Sequence, residues 1–144
     1  MNIFQLPYEN RLQDWVNLRD SLKNENLQIA AIKVDNWWQH APLVAHYLHP
    51  KELTSWPDPW ELLQDNTYCM LARALGMYYT MILMGTYNVE IVLGKDDNNE
   101  EVTLVLVDNA KYILNYYPNT VISNSLTDFN IVEKLDTTAL RKIF

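Results

Sequence analysis

Residues 58–76, DPWELLQDNTYCMLARALG, contain the only cysteine of the chain, Cys69, between a helix start signal and a helix stop signal. The segment Asp58–Glu61 combines an N-cap aspartate, a proline suited to the first helical position and a capping-box glutamate. Gly76 has the conformational freedom that closes a helix. The pattern predicts one helix over residues 59–75, with the cysteine deep inside it.

Four segments rich in β-branched and aromatic residues follow this helix, and clusters of turn-forming residues separate them. They predict an antiparallel meander with strands at residues 77–84, 88–93, 102–107 and 111–117. The acidic loop between the second and third segments lacks the ligand spacing and central glycine of an EF-hand calcium loop. A solvated hairpin tip is the interpretation that we favour for it.

The rest of the chain adds helices before this region and an ambiguous segment after it. Hydrophobic periodicity predicts a helix over 8–24, an apolar run predicts a strand over 27–34, and a proline start predicts a short helix over 41–48. Residues 127–135 fit a helix or an edge strand, and Asp136 is placed to cap a final turn through Ile143.

These elements predict an α+β fold with N-terminal helices and one central cysteine-bearing helix, packed on an antiparallel β-meander of about four strands. The length of 144 residues suits a single domain over residues 1–144.

Charge and composition exclude several classes of function. The chain has 18 acidic and 11 basic residues and a net charge of −7, which opposes binding to nucleic acid. It contains no apolar run long enough to span a membrane and no signal-peptide pattern, so we expect an intracellular protein. With no glycine-rich phosphate loop and no Gly-x-Ser-x-Gly motif, we expect neither nucleotide hydrolysis nor serine-hydrolase chemistry, and no cofactor.

Cys69 has two interpretations, a packed core residue and a nucleophile. Packing is favoured, because free cysteines are among the most buried residues and a thiol nucleophile needs an adjacent base. All three histidines, His40, His46 and His49, precede it in the chain. Only His46 and His49 have the spacing to share one helix face, so the sequence does not favour a three-histidine metal site.

Tryptophan is abundant for a chain of this length, with five residues. Most of the rings should fill the core, but tryptophan is also common at interface hot spots. The candidate binding residues are Trp37, Trp38 and Trp56. We expect at least one tryptophan to be partly exposed, with Trp37 or Trp38 as the first candidates.

Three segments, residues 37–42, 56–63 and 68–76, together resemble uncharacterised small proteins of tailed bacteriophages of marine cyanobacteria and their relatives. The resemblance covers about half of the chain. It implies a place in the infected bacterial cell or in the virion, and it implies no activity.

The order of a cysteine-bearing helix ending in Ala-Leu-Gly and then antiparallel strands also resembles the core of transglutaminase-like and papain-like domains. In those domains a cysteine near the helix start is followed by a histidine on one strand and an aspartate or asparagine on the next. Here Cys69 is predicted deep in its helix, residues 88–93 contain no histidine, and Asn115 is the candidate third member. The resemblance therefore implies a degenerate core that lacks the base.

The leading interpretation from sequence is a non-enzymatic, phage-type interaction module with a protein partner or self-association. Self-association would use the strand at 111–117 or the tail, because exposed sheet edges invite pairing. The alternative is a cysteine-dependent acyl-transfer enzyme in which Cys69 attacks and His40 or His46 is the base.

Overall fold

A computed structural model describes residues 2–45, 47–52, 55–86, 88–117, 120–123 and 130–141. After a short 3-10 turn at Ile3–Gln5, the helices are α1 (Tyr8–Ser21), α2 (Leu27–Gln39), α3 (Pro59–Gln64), α4 (Met70–Leu83) and α5 (Thr138–Arg141). The strands are β1 (Val89–Lys95), β2 (Glu101–Val107), β3 (Tyr112–Tyr117), β4 (Thr120–Ser123) and β5 (Asn130–Lys134). The predicted α+β class is confirmed.

The strands form one antiparallel sheet in the order β4-β3-β2-β1-β5. Strands β1 to β4 are a meander, and β5 returns to pair with β1 as an edge strand. The edge-strand interpretation of the tail is therefore the correct one. Asp136 Oδ1 accepts the Thr138 N–H at 3.0 Å, which confirms the predicted cap of the last helix; Ile143 lies outside the described residues.

The single helix predicted over 59–75 is wrong, because the chain forms α3 and α4 there with a break between them. The capping box at the start of α3 is confirmed: the Glu61 N–H donates to Asp58 Oδ1 at 2.7 Å. The break is held by Arg11, a buried side chain of α1. Its Nη1 donates to the carbonyl oxygen of Leu63 at 3.1 Å and to that of Asp65 at 2.6 Å.

The strand predicted over 77–84 is also wrong, because α4 continues through it to Leu83. Almost every α4 residue is buried, and a helix buried on all sides has no polar face whose periodicity would distinguish it from a strand. Gly76 does not end the helix. It lies in mid-helix under the Trp38 ring, where an added Cβ would be 2.6 Å from ring carbons.

The strand predicted over 27–34 is wrong, because these residues are the first part of α2. Ile32 is apolar but 39% exposed, so the apolar run did not correspond to a fully buried segment. The Ile29 N–H donates to Asn26 Oδ1 at 2.9 Å, so an N-cap starts this helix. The helix predicted over 41–48 is absent from the described residues of that segment. Instead, Leu43 forms an isolated parallel bridge with Tyr68.

The core lies between the helices and one face of the sheet, and most of its aromatic rings come from the N-terminal half. Trp38 is fully buried, and Trp37 and Trp56 are 9% and 7% exposed. The predicted exposure of Trp37 or Trp38 is therefore wrong, and packing accounts for these three rings. Trp60 is the exposed tryptophan, at 38%.

Candidate functional site

Cys69 is the residue immediately before α4, in extended backbone at φ −84° and ψ 173°. The prediction that it lies deep in a helix is wrong, because α4 starts later than the predicted helix. The side chain is fully buried, as predicted for a packed cysteine. Its place at the helix start is nevertheless the place that the transglutaminase-like resemblance implies for a nucleophile.

Asn115, the candidate third member, is brought to the same helix start by β3. Its side-chain Nδ2 donates to the carbonyl oxygen of Met70 at 3.2 Å and to that of Thr103, on β2, at 2.9 Å. The side chain is fully buried. The structure therefore places Asn115 against the residue that follows Cys69, although the two lie far apart in the sequence.

No histidine lies on β1 or on β2, the strand between β1 and β3. The buried polar residue of β2 is Thr103, at 3% exposure. A threonine hydroxyl is not basic enough to deprotonate a thiol. An imidazole base for Cys69 would therefore come from the segment before α3, where all three histidines lie.

The three histidines differ in their relation to this site. His40 ends α2, where its Nδ1 is 2.7 Å from the Asn36 carbonyl oxygen, and it lines a depression beside Trp37. His49 lines a different cleft, which Met70 also lines. His46, a candidate base in the sequence interpretation, lies outside the described residues.

The chain before His49 passes directly alongside the residues that precede α4. The Val44 N–H donates to the Tyr68 carbonyl oxygen at 2.8 Å, and the Tyr68 N–H donates to the Pro42 carbonyl oxygen at 2.8 Å. These two bonds hold the strand-like segment 42–44 beside Tyr68, one residue from Cys69. His40 lies two residues before this segment, and His46 and His49 lie two and five residues after it.

Tyr47 is a site residue that the sequence interpretation missed. Its hydroxyl donates to the Thr67 carbonyl oxygen at 3.2 Å. Burial raises the pKa of Tyr47 to about 12, and a hydrogen bond with the Cys69 backbone opposes that rise. Nothing in the sequence signals this contact, because it depends on how segment 42–44 pairs with Tyr68.

The cleft beside α4 has a volume of about 360 Å³. Its wall is mainly apolar, with a few polar side chains at its margin, and its lining includes Leu48, His49, Met70, Leu93, Thr103 and Val132. Cleft walls of this kind are typical of sites that bind apolar groups. Met70 is half-buried at the cleft wall and is the neighbour of the buried Cys69.

No metal centre is found in the part of the chain that the structure describes, where no three His, Cys, Asp or Glu side chains lie close enough to share an ion. The acidic loop after β1 binds its own backbone: Asp96 Oδ1 accepts N–H groups of Asn98 at 2.9 Å and Glu100 at 3.0 Å. The hairpin tip predicted there is confirmed. The described helices also include none with the length and apolar character needed to cross a bilayer.

Comparison with solved structures finds proteins that share this fold. No family model matches the chain, and no curated protein matches its sequence.

The chain is similar to Legionella pneumophila LapG in three of its structures. The calcium-bound structure has a TM-score of 0.71 at 18% identity, covering 88% of this chain and 74% of that one. A second LapG structure has a TM-score of 0.73 at 18% identity, covering 92% and 83%. The EGTA-treated structure has a TM-score of 0.73 at 19% identity, covering 90% and 74%. At this level of identity the similarity establishes the fold.

These matches contradict the leading interpretation from sequence, a non-enzymatic interaction module. The findings favour the alternative in the sequence interpretation, a cysteine-dependent enzyme, over that module. They agree with the resemblance to transglutaminase-like domains. They do not bear on an origin in bacteriophage, which stays a prediction.

Proposed function

We propose that this chain is a cysteine-dependent enzyme that transfers or hydrolyses acyl groups, with Cys69 as the nucleophile. The supporting observation is the position of Cys69 at the start of α4, with Asn115 bonded to the next residue, in a fold similar to that of a cysteine protease. A helix start favours a thiolate, because free backbone N–H groups stabilise negative charge there.

In this proposal the Cys69 thiol gives its proton to an imidazole, and Sγ attacks the carbonyl carbon of the substrate. The S–C bond forms as the bond to the leaving group breaks, and the imidazolium returns the proton to the leaving group. Water or an amine then attacks the thioester and releases Sγ. Because Cys69 is fully buried, motion of the residues around it must expose Sγ before it reacts with a substrate or a small reagent. The half-buried Met70 is the adjacent side chain at the cleft wall.

The base in this proposal is His46 or His49. Both follow the segment that pairs with Tyr68, and His49 lines the cleft with Met70. His49 Nδ1 accepts the Lys51 N–H at 3.2 Å, so His49 would have to release this bond before that nitrogen accepts a proton. His40 is not proposed as the base, because its Nδ1 is 2.7 Å from the Asn36 carbonyl oxygen and it lines the depression beside Trp37.

The resemblance to tailed-phage proteins supports placing this enzyme in the cytoplasm of an infected bacterial cell or in the virion. Mass spectrometry of purified particles and of infected-cell lysate distinguishes the two places. We expect peptides of this chain in at least one sample. Their absence from both, with other late phage proteins detected, would contradict the proposed origin.

The enzymatic proposal is tested with p-nitrophenyl acetate, a small activated acyl donor. We expect p-nitrophenol release and an acetyl group on Cys69 of the folded protein, located by peptide mass spectrometry. C69S should lose both signals. H46A or H49A should slow acetylation by about a hundredfold, the usual contribution of a general base.

H40A is the matched control, because it removes an imidazole outside the proposed site, and it should acetylate at the wild-type rate. The proposal would be contradicted if Cys69 acquired an acetyl group only in the denatured chain. It would also be contradicted if neither H46A nor H49A changed the rate.

A further inference from the structure

Asp35 is a fully buried acidic residue of α2 with no part in the steps described above. Its Oδ1 accepts the backbone N–H of Asn115, on β3, at 2.8 Å. Within the described residues, Asp35 Oδ2 and Asn115 Oδ1 are buried without a hydrogen-bond partner. Burying a carboxylate costs free energy. The burial of Asp35 therefore calls for a structural explanation.

The backbone conformation of Asn115 provides an explanation for the buried Asp35. Its φ is +69°, in the left-handed region that a non-glycine residue rarely adopts inside a strand. The pairing of β3 with β4 is irregular between Ile113 and Tyr117, the stretch that includes Asn115. Strained backbone of this kind persists only where its surroundings fix it, and the Asp35 carboxylate is a direct contact that does so.

The position of Asn115 also affects the start of α4. With its backbone N–H held by Asp35, Asn115 directs its side-chain Nδ2 to the carbonyl oxygens of Met70 and Thr103. We propose that Asp35 is a positioning residue, which fixes Asn115 and through it the first turn of α4 beside Cys69. This inference rests on the proposed function.

The groups near Asp35 determine how it responds to pH. Burial raises the pKa of Asp35 to about 6, opposed by the Asn115 backbone bond, by a Gln39 hydrogen bond and by the charge of Arg73, on α4. Gln39 Nε2 is 3.3 Å from Asp35 Oδ1, and Arg73 Nη1 donates to Gln39 Oε1 at 3.0 Å. Protonation of Asp35 would weaken its hold on Asn115, because a charged acceptor forms the stronger hydrogen bond.

Two variants of Asp35 test the proposal in the full chain. D35A removes the acceptor for the Asn115 N–H, whereas D35N keeps a carbonyl oxygen but does not titrate. Two readouts are followed: amide hydrogen exchange at Asn115, and acetylation of Cys69 by p-nitrophenyl acetate between about pH 5 and 8, which spans the titration of Asp35.

For D35A we expect exchange at Asn115 to rise about tenfold and acetylation to slow about tenfold, as loss of one buried hydrogen bond implies. D35N should keep most of the protection at Asn115. The acetylation rate of D35N should also lack the decrease below about pH 6 that the protonation of Asp35 contributes in the wild type. A residue that only supported packing would not change the shape of that profile.

Unchanged exchange at Asn115 in D35A would overturn the proposal. So would faster exchange in D35A with a wild-type rate and pH profile of acetylation, which would leave the proposed function standing. If wild-type Cys69 is never acetylated, the proposed function fails. The effect of D35A on exchange then still decides whether Asp35 fixes Asn115.

Discussion

Thr80 joins three parts of the core through one hydroxyl group. It accepts the indole N–H of Trp15 at 2.8 Å and that of Trp38 at 3.0 Å, and it donates to the Gly76 carbonyl oxygen at 2.7 Å. All of these groups are buried. The sequence indicated that most tryptophans would fill the core, but not that a single threonine on α4 would bind two of them.

Removing this hydroxyl should destabilise the fold. T80V keeps the shape of the side chain but leaves the Trp15 and Trp38 N–H groups without an acceptor, at about 1–3 kcal/mol for each buried group. Urea unfolding followed by tryptophan fluorescence measures the loss. T80S retains the hydroxyl but lacks the methyl group of Thr80, and it is the control; a loss in T80V no larger than the loss in T80S would contradict the role of the hydrogen bonds.

The raised pKa of Asp35 predicts that the free energy of unfolding depends on pH. Its pKa is about 6 in the folded chain, against an ordinary value of 3.8. Between these two values the unfolded chain releases the proton first, so the folded state binds more protons and the free energy of unfolding falls as pH rises. The fall is about 3 kcal/mol, from about 1.4 kcal/mol for each pKa unit.

Urea unfolding at a series of pH values measures this dependence. In D35N, the free energy of unfolding should lack the decrease that Asp35 contributes between about pH 4 and 6. The other carboxylates contribute equally to both proteins. Parallel stability curves for wild type and D35N over this range would contradict a raised pKa.

At the scale of elements, the sequence predicted best the helix and strands whose limits are marked by turns, and it predicted the apolar helices poorly. Helix α1 and strands β1, β2 and β3 agree with the predictions because turns or an exposed face mark their limits. Helix α4 was predicted in part as a strand because nearly all of it is buried, so its apolar residues show no helical period. Helix α2 has an exposed side, but Ile32 on that side is apolar, so residues 27–34 read as a short apolar run. The break before α4 depends on Arg11, which is remote in sequence.

The capping box of α3 gives a prediction at this scale. D58A removes the acceptor for the Glu61 N–H, so we expect a loss of about 1 kcal/mol in the free energy of unfolding. D97A, which removes an exposed carboxylate at a hairpin tip, is the control for the change in charge and should lose little. Chemical denaturation of both variants checks this, and an equal loss in both would contradict a capping role.

For the whole molecule, the sheet order changes the prediction about self-association. The strand at 111–117 is not an edge, because β3 is paired on both sides. Strand β5 is an edge strand, and its Val132 is 65% exposed. Pairing of two copies through β5 therefore stays a prediction, since an edge strand with apolar side chains favours such contact.

Sedimentation velocity over a range of concentrations tests it. We expect a dimer that V132K converts to a monomer, because a charge on the edge opposes pairing. E133K, a charge change at the neighbouring position, is the control for the effect of net charge. A wild-type chain that stays monomeric at every concentration would contradict self-association.

In the candidate site, some residues could be predicted from the sequence and others could not. Cys69 and Asn115 were found because the order of a helix and strands resembled a known core. Tyr47 and Asp35 were not, since each reaches the site only through tertiary pairing, by segment 42–44 beside Tyr68 and by α2 against β3. The position of Cys69 was predicted wrongly because the break before α4 was missed.

The central claim, that Cys69 is an activated nucleophile at the start of α4, is tested most directly by its alkylation rate. Iodoacetamide is reacted with the native and the denatured chain across a range of pH, and Cys69 modification is followed by mass spectrometry. We predict that native Cys69 reacts faster than the denatured thiol near neutral pH, and that its rate follows the titration of an imidazole. Slow native alkylation with no such pH dependence would contradict the account.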